Sequence, residues 1–122
     1  MKDLARRFSE NPLLMPKDLQ PSNPDLQIIS LLNPGVFLFE QKTWLLVRVA
    51  ESIAQKEGII FFPSVNDLGK VEIIEIPLND PDLVATDARI IQYKGLDYLT
   101  TLSHLRLFMQ RRWHSFLCSR RL

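Results

Sequence analysis

Cysteine is almost missing from this chain. Cys118 is the only one in 122 residues, so no disulfide can form within the chain and no zinc cluster is suggested. Long apolar runs are missing too, since no stretch approaches the ~20 residues that span a bilayer. The first sixteen residues carry Lys2, Asp3, Arg6, Arg7 and Glu10 with no apolar run between them, which leaves no room for a signal peptide. No internal repeat, low-complexity segment or sustained helical period is visible. These absences argue against a disulfide scaffold, a helical membrane protein and a secreted precursor. The expectation is a soluble, cytoplasmic protein with 46% hydrophobic and 24% charged residues, ordinary values for one globular domain.

Charge is unevenly spread. Residues 1–108 hold eleven basic and fourteen acidic side chains, whereas residues 109–122 hold Arg111, Arg112, Arg120, Arg121 and no acid. A basic tail can bind nucleic acid or an acidic membrane surface. Four arginines make a weak electrostatic footprint, so neither partner is expected.

Residues 9–34 read as a loop, because Pro12, Pro16, Pro21, Pro24 and Pro34 are incompatible with helices and central strands. Short β-branched and aromatic runs follow, divided by turn residues. They predict strands over Val36–Glu40, Trp44–Ala50, Ile59–Phe62, Val71–Ile76, Arg89–Tyr93 and Tyr98–Leu102. Gln41-Lys42, Asn66-Asp67-Leu68-Gly69, Asn79-Asp80-Pro81-Asp82 and Lys94-Gly95-Leu96-Asp97 read as turns. Ser52–Glu57 has room for one helical turn at most. Many short strands at regular spacing point to an all-β sandwich, barrel or propeller.

Five segments together resemble glycoside hydrolase family 130, the β-mannoside phosphorylases and β-1,2-mannosidases. They are Arg7-Phe8 with Glu10-Asn11-Pro12-Leu13-Leu14, Pro16 and Asp18; Asn33-Pro34-Gly35-Val36; Leu45-Leu46-Val47-Arg48-Val49-Ala50-Glu51; Asp87-Ala88-Arg89-Ile90; and Tyr98-Leu99-Thr100-Thr101-Leu102-Ser103-His104-Leu105-Arg106-Leu107. The fourth departs from the family's Asp-Pro-Arg by an alanine. The Arg-Val-Ala-Glu and Ser-His-Leu-Arg forms look closer to the branch acting on β-1,2-mannosides than to the β-1,4 branch. The resemblance implies the amino-terminal blades of a five-bladed β-propeller, with an active site at one end of the channel. It also implies cleavage of β-mannoside oligosaccharides with inversion, by inorganic phosphate as co-substrate or by water. No cofactor or metal is implied. An inverting hydrolase needs an acid and a base; a phosphorylase needs an acid and a cationic pocket for phosphate.

The resemblance places the family's general acid at Asp87. From spacing alone, Asp87 reads first as a turn aspartate whose carboxylate caps Ala88 or Arg89. Arg48 lies in an otherwise apolar strand, on one face with Trp44, Leu46 and Ala50. It either binds sugar or phosphate through its planar guanidinium or forms a salt bridge to Glu51 or Asp87. Arg89 either orients Asp87 and binds substrate or lies at the surface. Asn33 is a candidate hydroxyl ligand or a turn former. Ser103 and His104 are not a nucleophilic pair, because neighbours in a strand face opposite ways and no acid lies near in sequence. Trp44 and Tyr98 read as core aromatics rather than sugar platforms.

At roughly 40–50 residues per blade, the chain supplies about two to three blades. The remaining cations, or the hydrolase's base, are then expected beyond Leu122, with unpaired strand edges open to self-association. The tail after Phe108 leaves the family pattern. Shifted one base, its codons can read through Asp-Gly to His-Phe, as the family would supply. The expectation is a family-like region over residues 1–108 and a frameshifted tail over residues 109–122, in an inactive fragment. The competing readings are a non-catalytic β module that binds carbohydrate or a protein, and a small nucleic-acid binder that uses the tail.

Overall fold

The computed structural model describes residues 9–112 and 115–121, with side-chain surroundings up to residue 110. After a short 3-10 turn at Pro16–Asp18, all regular structure is β: β1 (Gln27–Phe39), β2 (Lys42–Ser52), β3 (Ile59–Val65), β4 (Val71–Pro77), β5 (Leu83–Asp87), β6 (Ile90–Tyr93), β7 (Leu96–Leu99), β8 (Leu102–Arg112) and β9 (Ser115–Arg121). They form three small antiparallel sheets. One has the order β1-β2-β8-β9, one pairs β3 with β4, and one has the order β5-β6-β7.

The turns follow their chemistry. Glu40 and Gln41 both have positive φ, as do Lys94 and Gly95, which is the requirement of the two-residue hairpin turns that match strand twist. The first turn therefore sits one residue earlier than Gln41-Lys42, and the second needs only two of its four expected residues. Asn66 closes the β3–β4 turn with its side-chain oxygen, which accepts from the Leu68 and Lys70 amides at 3.0 Å each. Asp80 does the same for the Asp82 amide at 2.9 Å.

Several expected boundaries move. Residues 27–34 are strand rather than loop. Leu32 pairs with Arg48 and Gly35 with Leu46, so Asn33 and Pro34 together oppose Val47 in a β-bulge. Proline fits there because β1 is an edge strand and the bulge needs no ladder N–H. Asn33 takes the left-handed conformation, φ 46°, which asparagine tolerates better than most residues. Strand β5, not foreseen, is short and irregular between Val84 and Asp87. Tyr98–Leu102 is not one strand: β7 ends at Leu99 and β8 begins at Leu102. Ser52–Glu57 forms no helical turn, only an isolated bridge from Lys56 to Ile59.

Strand β8 is the largest departure, since no strand was expected beyond Leu102. Its alternation invites a core of Leu105 and Leu107 with His104 and Arg106 in water. Instead Arg106 is 3% and Phe108 1% exposed, while Leu105 is 41% exposed. The polar residues face inward because they have partners there.

Phe62, Ile76 and Ile91 form a buried cluster in which β3–β4 packs on β5–β7, joined by Ile60, Ile74, Leu83, Tyr93 and Tyr98. The Phe62 and Tyr98 rings meet at 5.0 Å, tilted 46°, the geometry aromatic pairs prefer. In the four-stranded sheet, Val47, Val49 and Phe108 are buried on one face. The amino-terminal loop covers that face. A cleft of about 580 Å³ remains between Asn11–Leu14 of the loop and Leu31, Pro34, Leu45 and Val47 of the sheet.

Candidate functional site

Asp87 ends β5 and Arg89 stands in the turn before β6. The Asp87 carboxylate accepts from the Arg89 amide at 2.8 Å and from Arg89 Nε and Nη2 at 3.2 and 3.0 Å. The aspartate thus caps its own turn and holds the guanidinium at once. Both side chains are solvent-accessible. Hydrogen bonds from the Arg89 side chain, then from its backbone, hold the Asp87 carboxyl below the ordinary carboxylate range. The same contact raises the Arg89 guanidinium. Two bonds to Thr100 fasten the turn: its amide donates to the Arg89 carbonyl at 3.0 Å, and its hydroxyl to the Ala88 carbonyl at 2.8 Å. The Thr100 carbonyl accepts from Ser52 Oγ at 3.0 Å, which ties the turn to the end of β2.

Strand β2 carries Arg48. Its register partners are Leu32 on β1 and Leu105 on β8, so the exposed guanidinium stem lies along a largely apolar row. Neither acid considered for it is its partner, because Asp87 holds Arg89 and Glu51 holds Arg106. Among the described residues, Arg48 has no ion pair. Asn33, in the bulge, follows the residue paired with Arg48. Asn33 and Arg48 therefore share one stretch of the β1–β2 ladder, and Asp87 and Arg89 share another turn. Trp44 stacks on Phe37 at 6.4 Å, nearly parallel, and donates Nε1–H to the Phe39 carbonyl at 3.2 Å.

Sequence reasoning missed a buried polar network beneath the four-stranded sheet. Arg106 Nη2 donates to Glu51 Oε1 at 3.2 Å, Nη1 to the Gln20 carbonyl at 2.7 Å and Nε to His104 Nε2 at 2.9 Å. Glu51 also accepts from the Ser22 amide at 2.7 Å and from the Ser22 hydroxyl. His104 Nδ1 lies 3.9 Å from Glu51 Oε2, so an acid distant in sequence does stand by the histidine. Ser103, in the adjacent register with Ala50, faces the other way, as strand alternation requires. The signal was present in the motifs themselves, as the acid Glu51 in Arg48-Val49-Ala50-Glu51 and the basic His104 and Arg106 in Ser103-His104-Leu105-Arg106. Among the described residues, no three His, Cys, Asp or Glu side chains gather as a metal site, and no helix is long and apolar enough to cross a membrane.

β-1,2-Mannobiose phosphorylase of Listeria innocua is 33% identical to this chain over 116 residues, which cover 90% of the chain and 33% of the relative. The solved structure of β-1,2-mannobiose phosphorylase from Listeria innocua in complex with β-1,2-mannobiose matches at TM-score 0.75 and 30% identity, over 94% of this chain and 35% of that one. The chain is homologous to β-1,2-mannobiose phosphorylase. The homology bears out the resemblance to glycoside hydrolase family 130. It also bears out the all-β architecture, as three antiparallel sheets that match part of one such structure. The chain spans about a third of the length of the relatives it matches. No family model matches it.

Proposed function

We propose that this chain forms part of an inverting enzyme of β-mannoside breakdown, acting on β-1,2-linked mannosides by phosphorolysis or hydrolysis. The observation that carries the reading is its homology, over 94% of its length, with a structure solved with β-1,2-mannobiose bound. The three sheets are then parts of propeller blades. The single cysteine accords with a cytoplasmic, reducing setting.

In this reading Asp87 is the general acid for the leaving oxygen. An acid must hold its proton near neutral pH, whereas hydrogen bonds from Arg89 lower the already acidic Asp87 carboxyl further. Substrate reconciles the two. A sugar hydroxyl or a phosphate that draws the exposed Arg89 guanidinium away removes the two side-chain bonds that lower the carboxyl, and exclusion of water then raises it. Arg89 becomes a ligand in the same movement. Arg48 has no ion pair to give up, and its planar fork suits vicinal hydroxyls or phosphate. Asn33, beside it on the ladder, adds an amide suited to hydroxyl recognition.

The test is a chimera in which residues 1–108 replace the homologous third of the Listeria innocua enzyme. Turnover of β-1,2-mannobiose by the folded chimera supports the reading, and a folded chimera without turnover counts against it. Asp87→Asn should abolish that turnover. Full turnover by that variant would remove Asp87 as the acid.

A further inference from the structure

Ala88 and Arg89 are the central residues of the hairpin between β5 and β6, whose flanking residues Asp87 and Ile90 pair. Neither has a positive φ. The two-residue turns that match strand twist need positive φ, as Glu40-Gln41 and Lys94-Gly95 have, and turns without it splay the strands. The β5–β6 register is correspondingly irregular just before the turn, between Val84 and Asp87. Ala88 presets nothing either, whereas a proline at the first central position would fix φ. The Asp87–Arg89 ion pair is solvent-accessible, and such a pair holds little by itself. The shape of this turn therefore has to come from outside the hairpin.

We propose that Thr100 is the positioning residue of the Asp87–Arg89 pair: it holds the Ala88-Arg89 turn in the shape that lets one carboxylate take the Arg89 amide and guanidinium together. Thr100 stands between β7, which ends at Leu99, and β8, which begins at Leu102. Leu99 pairs with Ile90, which puts Thr100 one step past the end of that ladder and beside the turn. Its amide donates to the Arg89 carbonyl at 3.0 Å and its hydroxyl to the Ala88 carbonyl at 2.8 Å, so the carbonyls of both central residues end on one partner. Thr100 is itself fixed, because its carbonyl accepts from Ser52 Oγ at 3.0 Å. Ser52 ends β2, the strand that carries Arg48. The break between β7 and β8 thus has a use, since a residue paired in a ladder would have its amide engaged there. The catalytic consequence rests on the reading of Asp87 as the acid: Thr100 sets the carboxyl and Arg89 against the strand of Arg48, acting through the turn rather than on substrate.

The titration of the Asp87 carboxyl, followed by NMR in the full 122-residue chain, tests this without needing turnover. Arg89 lowers that carboxyl through hydrogen bonds from its side chain and its amide, so loosening the turn should raise the midpoint toward that of a free aspartate. Thr100→Val keeps the size, removes the hydroxyl and should raise it. Thr100→Ser keeps the hydroxyl and should keep the parent midpoint. Circular dichroism of each variant checks that the β signal survives. A parent midpoint in Thr100→Val would overturn the proposal, as would a rise in Thr100→Ser equal to that in Thr100→Val. The unmodified chain gives a second readout: the Thr100 amide, although outside any strand, should exchange slowly with solvent. Exchange as fast as in an unstructured peptide would equally overturn the proposal. Neither result depends on the acid assignment, which fails separately if the Asp87→Asn chimera turns over.

Discussion

Arg106 on β8 and Glu51 on β2 are buried together, 3.2 Å apart, and between them they grip Gln20 and Ser22 of the amino-terminal loop. Two charges removed from water are tolerable only when paired and further hydrogen-bonded. Here the loop backbone, the Ser22 hydroxyl and His104 supply the remaining partners.

Removing one member should therefore be costly. Glu51→Ala leaves the Arg106 guanidinium buried without its counter-charge and should destabilise the fold by about 3–5 kcal/mol. Replacing both residues with apolar side chains of similar volume should cost much less. Urea unfolding of the single and double variants would read the difference, and a Glu51→Ala variant as stable as the parent would end the argument.

Phe62 joins two sheets and is fully buried against Ile76 and Ile91. Phe62→Ala should cost about 3–5 kcal/mol, the transfer free energy plus the cavity left behind. Phe62→Leu should cost appreciably less, because it refills most of the volume. The shift in the urea midpoint at constant slope measures both.

The Asp87 carboxyl is held below its ordinary value, chiefly by hydrogen bonds from Arg89. A carboxyl with a depressed folded value stabilises the fold above its unfolded value, and that contribution is lost as pH falls through the folded one. An NMR titration of the Asp87 carboxyl should accordingly show a midpoint under the ~3.9 of a free aspartate. Arg89→Ala should move it upward. The same midpoint in both proteins would show that Arg89 does not hold the group in solution.

The purified 122-residue polypeptide should show no cleavage of β-1,2-mannobiose, with or without phosphate. It spans about a third of the homologous enzyme, so a sugar bound by Asp87, Arg89 and Arg48 would be exposed to water and poorly oriented. Turnover detected by mannose or mannose 1-phosphate release would show that these residues suffice.

Much of the candidate site was legible in local pattern. Asp87 and Arg89 are two residues apart, so both the turn-capping contact and the ion pair follow from short-range chemistry. The alternation around Arg48 correctly put it on the face of Trp44 and Leu46. Glu51 and Arg106 are fifty-five residues apart, and nothing local says that the two meet.

Composition and turn chemistry by themselves determined that the chain is β-rich and where most hairpins reverse, and they left Asp87 as one candidate partner of Arg89. These rest on φ preferences, side-chain reach of a few residues and strand propensity, all of which act within a short window of chain. Only the tertiary structure decided that Gln27–Pro34 is an edge strand with a bulge and that Tyr98–Leu102 is broken at Thr100. It also decided that β8 turns Arg106 inward and Leu105 outward. Burial of a charge depends on what waits on the other side of the sheet, and Glu51, Ser22 and Gln20 reach that place only when β2, β8 and the amino-terminal loop come together.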